Sequence, residues 1–324
     1  MKRVAYNVSE AAWLELRAQD LTSTDVAALF NVSPYLTYFD LWHRKHDQAT
    51  VPFQMNDRVK WGSRMEAVIA TGIAEDQGWM VRPMKEYIRL DGLRLGSSFD
   101  FCILGGLDVP TEDAPIVVTA DGTPYLFPVS LLEIKAVDWL QHKQKWIVHE
   151  DGEIEAPLHI ELQVQHQMLV SGVPRAKLGV MIGGNQVQLL TREAIPDYQQ
   201  MILQKAAAFW QSVDDHVEPS PDFPEDLDTV KRLYGYGDPG KYLEASDDAE
   251  IRALCEDYVA AAAAVKEAEA LKDTAKGKLL MAIGECSKVT CGLFTISAGM
   301  VAEAEVAYTR APYRNFRVTQ RKPK

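Results

Sequence analysis

The chain has 324 residues, 46 acidic and 34 basic side chains, a formal charge of −12 and a hydrophobic content of 47%. Length at roughly 150 residues per domain predicts about two domains with a real core, and the ordinary apolar and charged fractions exclude wholesale disorder. The net charge argues against a polyanionic partner, no run approaches the roughly 18 apolar residues of a membrane span, and four cysteines in this length are no disulfide framework, so a cytoplasmic location is expected.

In chain order, Ala11, Trp13, Leu14 and Leu16 predict a short helix over residues 10–17. Thr22-Ser23-Thr24-Asp25 before Val26, Ala27, Leu29 and Phe30 reads as a second helix, capped by hydroxyl side chains. Ser33-Pro34-Tyr35 interrupts it, a third helix runs over 39–46, and Met65, Val68, Ile69 and Ile73 mark a fourth over 65–77. The period then shortens to two. Residues 80–90 and 93–104 are expected to be strands joined by a tight turn at Asp91-Gly92. Val129–Lys135 is a buried strand carrying two charges, 157–170 a helix, 177–190 a hairpin about Gly183-Gly184-Asn185, and 192–213 a long helix. Residues 218–246, acidic and proline-bearing, read as a linker between a 1–217 domain and a 247–324 extension. The extension holds a long helix from Asp247 to about Gly284, a small β element and a basic tail. The order of elements is α/β or α+β.

Charge is unevenly placed. Residues 100–132 hold five acids and no base, and residues 218–250 hold ten acids against three bases. Those two stretches account for the whole excess, while the last fifteen residues carry Arg310, Arg314, Arg317, Arg321, Lys322 and Lys324 without an acid. Such a tail is either a solvated terminus or a phosphate-binding arm.

Glu133 and Lys135 need an explanation, because burying either without a partner is costly. Two apart on a strand, they leave the same face, roughly 6 to 7 Å apart. Asp100 follows the preceding strands in another apolar setting. If the strands are neighbours, two carboxylates and an ammonium meet. Two carboxylates suit a hard cation such as Mg²⁺, and an ammonium can offset charge at a phosphoryl group under attack. His43 and His46 lack a second pair of ligands for a soft metal, and Cys102, Cys255, Cys286 and Cys291 are too dispersed for an iron–sulfur cluster. Of His159 and His166, one is expected to face the site and the other to be buried. Trp139, His142, Lys143, Lys145 and Trp146 are balanced between nucleic-acid contact and core.

Several blocks arrive together and in order: Trp13 and Arg17; Leu21-Thr22-Ser23-Thr24-Asp25-Val26; Ser33-Pro34-Tyr35; Trp61-Gly62-Ser63-Arg64-Met65-Glu66; Asp100; Leu132-Glu133-Ile134-Lys135; and Leu162-Gln163-Val164-Gln165-His166-Gln167-Met168 with Ser171-Gly172. On these residues the chain resembles the phage lambda exonuclease family, the YqaJ-type viral recombinases, within the PD-(D/E)xK nucleases. The resemblance covers about residues 10–213. It implies a restriction-endonuclease-like core, a central mixed β-sheet flanked by helices, with a C-terminal helical extension. It implies a Mg²⁺-dependent 5′→3′ exonuclease that degrades one strand of double-stranded DNA from its ends and leaves a 3′ overhang for recombination. Two Mg²⁺ ions, replaceable by Mn²⁺, a homotrimer, a 5′-phosphorylated DNA end and a single-strand annealing partner come with it.

By the same resemblance Asp100, Glu133 and the Ile134 carbonyl are metal ligands, Lys135 is the catalytic lysine, and Glu66 and Gln163 stand at the site. Arg17, Thr24 and Ser33 correspond to the end-binding residues, a guanidinium and hydroxyls suited to a terminal phosphate. Phe99 and Phe101 stand where the family has Pro and Gly around its metal aspartate, and a 32-residue insertion follows Asp100, with Asp108 the fallback ligand. Two other readings remain open: a different endonuclease or repair nuclease of this fold, and a non-catalytic adaptor for DNA ends or an annealing protein.

Overall fold

The computed structural model describes residues 2–5, 10–47, 56–106, 116–118, 124–126, 128–150, 152–305, 309 and 313–318. They fall into two compact units, Met1–Thr229 and Val230–Lys324. Asp108 and the tail residues Arg310, Arg321, Lys322 and Lys324 lie outside the described residues.

The first unit begins with strand β1 (Lys2–Ala5) and helices α1 (Glu10–Gln19), α2 (Val26–Leu29), α3 (Tyr38–His46) and α4 (Asp57–Gln77). Helix α4 starts two turns before its first predicted apolar residue, because the Asn56 side chain accepts from the Val59 amide, and it stops at left-handed Gly78. Helix α2 is a single turn. No hydroxyl caps it; its N-cap is Asp25, whose carboxylate instead accepts from the Thr22 amide at 3.0 Å.

The two long strands expected over 80–104 are each divided. Strands β2 (Trp79–Pro83) and β3 (Glu86–Leu90) are followed by a 3₁₀ turn at Asp91–Leu93, then β4 (Leu95–Ser97) and β5 (Phe101–Gly106). Pro83 has no amide hydrogen for a ladder, so the chain leaves one sheet there and enters another. The Met84 amide donates to the Asp100 carbonyl at 3.0 Å, joining the two breaks. The turn at Asp91-Gly92 is accordingly wider than a two-residue hairpin and includes Arg94 at φ 49°.

A small hairpin of β6 (Ile116–Val118) and β7 (Pro124–Leu126) lies in the insertion, before β8 (Ser130–Val137). Next come α5 (Trp139–Lys145), capped by Asp138, a short pair β9 (Ile147–Val148) and β10 (Ile154–Glu155), and α6 (Leu158–Ser171). The hairpin β11 (Arg175–Ile182) and β12 (Gln186–Glu193) turns at Gly183 and Gly184, both at positive φ, as glycine permits. Helix α7 (Pro196–Asp214) begins later than its apolar period, since Arg192 and Glu193 complete β12 and Pro196 occupies the first turn.

The central sheet has the order β12-β11-β8-β5-β2 and is mixed: β11 and β8 are parallel and the other pairs antiparallel. A second sheet, β1-β3-β4, adjoins it. Alternation on β8 sorts its side chains. Leu132 and Ile134 pack with Ile69, Ile73 and Ile103 under α4, while Leu131 joins Val164, Met168 and Phe209 of α6 and α7. Glu133 and Lys135 therefore leave the sheet on the α6 side. Gly179 of β11 lies opposite Ile134; a Cβ there would come within 2.6 Å of the Ile73 side chain and 3.1 Å of Ile134. The predicted 218–246 linker starts inside this unit, since Glu218 binds His43 at 3.0 Å and Asp226, only 1% exposed, accepts from Thr37. Helix α8 (Leu227–Leu233) follows.

The second unit contains helix α9 (Ala249–Ile283) and a hairpin of β13 (Lys288–Cys291) and β14 (Phe294–Ser297). Asp248 caps α9 by accepting from the Glu250 and Ile251 amides at 3.0 Å each. Arg314 donates to the Tyr234 carbonyl at 3.0 Å and Phe316 packs edge-on to Tyr258, so this part of the basic tail lies against its own unit. No described helix is long and apolar enough to cross a membrane.

Candidate active site

Strand β8 sets the centre of the site. Glu133 is 3% exposed, so its charge must be met by neighbours. Lys135 donates to its Oε1, Gln163 Nε2 donates to the same oxygen at 2.6 Å, and Gln167 Nε2 donates to Oε2 at 2.8 Å. The two glutamines stand one turn apart on α6 and so share its inner face. Asp100, at the break before β5, accepts from the Ile134 amide at 2.9 Å. The lost strand continuity at 98–100 brings this carboxylate to β8.

Electrostatics place the remaining groups. Burial holds the Asp100 carboxyl well above its usual range, with Glu133 and then Glu66 adding to the effect against Lys135. Burial likewise raises Glu66 on α4, with Glu133 its largest charged neighbour. At Lys135, burial works downward, but Glu133 and Asp100 outweigh it and the ammonium is held above its ordinary value. Three carboxylates thus share one ammonium. His159 of α6 is lowered by burial and by Lys135, and its ring meets Tyr35 edge-on at 6.0 Å. His166 is fully buried, its pKa pushed down to about 4 by desolvation. His159 thus lies within the field of Lys135 and His166 is in the core, the division of roles expected for the pair.

The end-binding candidates are partly assembled. Arg17 donates to the Thr24 hydroxyl at 3.3 Å, and its guanidinium lies 4.7 Å from the Trp13 ring centroid. Trp13 donates to Ser98 Oγ at 3.1 Å, and the Ser98 carbonyl accepts from Gln167 at 3.4 Å. Hydrogen bonds therefore run from Trp13, on which Arg17 stacks, through Ser98 and Gln167 to Glu133. Ser33 does a different job: its hydroxyl accepts from the Tyr35 and Leu36 amides and fixes the loop that carries Tyr35. Below Arg17, Lys45 bonds the Arg17 and Asp20 carbonyls at 2.8 and 2.6 Å and pairs with Asp25. Asp20, fully buried, takes a two-pronged bond from Arg89 at 2.6 and 2.8 Å.

Gln167 and Ser98 have no functional role in the sequence reading. The signal for Gln167 was present: Gln163 and Gln167 are four apart on one helix, facing a buried acid. Trp146 belongs to the core, whereas Trp139 is exposed with Lys143 over its ring, which separates two residues the sequence left balanced. His43 bonds Glu218, and His46 bonds Asp47 and His216. Cys102 is buried, while Cys255, Cys286 and Cys291 are exposed and free.

Among the described residues no three His, Cys, Asp or Glu side chains form a ready-made metal cage. The donor set is instead two carboxylates, Asp100 and Glu133, with the backbone of Ile134 between Glu133 and Lys135. That set fits Mg²⁺, which binds through one or two carboxylates and keeps its waters. The raised Asp100 and Glu66 are the mark of negative charge that a divalent cation would offset.

Comparison with known proteins matches residues 12–174 to the YqaJ-like viral recombinase domain. The uncharacterized protein YqaJ of Bacillus subtilis (strain 168) is 26% identical over 207 residues, 63% of this chain and 56% of that protein; the chain thus matches little more than half of the relative's length. An alkaline exonuclease from Laribacter hongkongensis superposes with a TM-score of 0.46 at 15% identity, over 69% of this chain and 97% of that one. A structure of that enzyme in complex with dAMP gives the same TM-score and coverage at 14% identity.

Proposed function

The chain belongs to the YqaJ-like viral recombinase domain family, and from that premise we propose that it is a divalent-metal-dependent nuclease, a 5′→3′ exonuclease that resects double-stranded DNA ends for recombination. The observation that carries the reading is the convergence on Glu133 of Lys135, Gln163, Asp100 and Glu66 from β8, α6, the break before β5, and α4. Arg17 and Thr24, bonded to one another and linked to Glu133 through Trp13, Ser98 and Gln167, support end recognition.

Asp100, Glu133 and the Ile134 carbonyl would hold Mg²⁺, with Mn²⁺ a substitute and a second ion near Glu66. When bound, the metal supplies positive charge to the phosphodiester and favours ionised water at neutral pH. Glu133 and Asp100 favour the charged form of Lys135. Its role is to donate to a phosphoryl oxygen and offset the charge that grows in the transition state. Gln163 and Gln167 fix the Glu133 carboxylate, so its orientation does not depend on Lys135 alone. Arg17 offers the fork geometry that matches a phosphate, and the Thr24 hydroxyl a further donor. A homotrimer and a single-strand annealing partner complete the proposal through the family resemblance.

Incubation with Mg²⁺ and duplexes labelled at either end tests it. Release of mononucleotides from the 5′ end, with the 3′-labelled complement retained, is expected. Internal nicking of a closed circle, or absence of any metal-dependent digestion, would overturn the exonuclease reading.

A further inference from the structure

Helix α9 spans 35 residues and buries none of them. A helix this long gains most of its stability from a packed face. Its sequence holds a seven-residue repeat over five turns of the pattern: Ile251, Tyr258, Val265, Lys272 and Leu279 occupy one position, with Leu254, Ala261, Ala268, Ala275 and Ala282 three residues after each. That is the spacing of a coiled-coil seam. Ile251, Leu254, Val265 and Leu279 are 37% to 62% exposed, and Tyr258 is 47% exposed with Phe316 edge-on to its ring. Gly277 and Thr274, poor helix formers, fall on the opposite face.

We propose that α9 is a homotypic interface, pairing antiparallel with α9 of a second copy of this chain. Complementarity of size and charge selects both the occupant and the direction. In the antiparallel register Ile251 faces Ala282, Tyr258 faces Ala275, Val265 faces Ala268, and Leu254 faces Leu279 of the other copy. Each large side chain but the last pair meets a small one, which is how facing layers fill at native density. Lys272 meets Ala261, over which its stem can lie while the ammonium reaches water. A parallel pair would set Tyr258 on Tyr258 and Lys272 on Lys272, two like charges in an apolar seam, and would leave four layers of alanine on alanine.

Charge agrees. Glu250, Glu256 and Asp257, with Arg252 among them, lie in the first turns of α9, and Lys276 and Lys278 in the last, with no acid of the helix after Asp273. The antiparallel register brings Asp257 beside Lys278 at both ends of the seam, where flanking ion pairs set orientation. This inference does not depend on the nuclease reading.

Disulfide trapping in the full chain, with Cys255, Cys286 and Cys291 changed to Ala, tests it. Positions 258 and 275 are about 26 Å apart along one helix, far beyond disulfide reach, so a bridge between them must join two copies. The Tyr258→Cys/Ala275→Cys double variant is expected to give a covalent dimer on mild oxidation, and either single variant to remain uncrosslinked. Ala268→Glu, which places a charge in the seam of an otherwise exposed helix, should halve the particle mass in light scattering. Crosslinking of a single variant as efficient as that of the double would show a parallel pair and overturn the proposal. So would absence of the crosslink, or an unchanged mass in Ala268→Glu, either of which would give the stripe to the chain's own first unit or to another protein.

Discussion

Gln167→Leu separates the support of Glu133 from its chemistry. Gln167 is 2% exposed and Glu133 3%, and the 2.8 Å bond between them ends on a carboxylate oxygen. Hydrogen bonds to buried charged groups contribute about 1.5–3 kcal/mol, and leucine keeps the volume while removing the donor. For a unit of this size each kcal/mol moves the melting temperature by roughly 2–4 °C, so a fall of about 3–12 °C is expected. Gln163→Leu should cost less, because Gln163 is only partly buried and Lys135 still serves the same carboxylate oxygen. Both changes should lower the cleavage rate, but Gln167→Leu should recover more of its melting temperature on adding Mg²⁺, as a cation replaces the lost partner. Thermal melts with EDTA and with Mg²⁺, beside a single-turnover cleavage assay, measure these effects. A Gln167→Leu protein that melts within 1 °C of wild type in EDTA would refute the claim that this bond holds Glu133 in place.

Other consequences follow from the same geometry. Asp100 and Glu66 have folded-state pKa values above their ordinary ones, so they take up protons on folding; without metal, their contribution to stability is fully present in acid and is lost as pH rises through those raised values. Mg²⁺ or Asp100→Asn should flatten that fall, as melts from about pH 4 to 8 would show. Arg17→Ala and Thr24→Val should abolish preference for a 5′-phosphorylated over a 5′-hydroxyl duplex, measured as a ratio of initial rates, while leaving the melting temperature near wild type. Gly179→Ala should cost about 1–3 kcal/mol, because its Cβ would press on Ile73 and Ile134; chemical denaturation reads the loss directly.

The elements whose side chains alternate or recur regularly were legible in the sequence. The β8 strand and the α6 helix lie within two residues of their predicted bounds, and the β11–β12 hairpin within three. The break at Pro83–Met84 and at Ser98–Asp100 was not, because apolar alternation continues across both sites, and only pairing to different sheets divides them. That hidden break is what delivers Asp100 to β8. Glu133 and Lys135 stood out in the sequence, since a charge inside an apolar strand is costly and therefore informative, whereas Glu66 was marked only by the family resemblance. Gln167 escaped because a glutamine on a helix carries no such cost until the buried acid opposite it is known. Ser33 shows the converse: a motif hydroxyl whose work here is to hold a loop.

The most direct test of the proposed centre is Lys135→Ala on a 5′-phosphorylated linear duplex in Mg²⁺, with cleavage and end binding measured on the same preparation. Loss of mononucleotide release by several orders of magnitude with end binding retained is the expected result. Wild-type rates from a folded Lys135→Ala protein would contradict the assignment of Asp100, Glu133 and Lys135 as the hydrolytic centre.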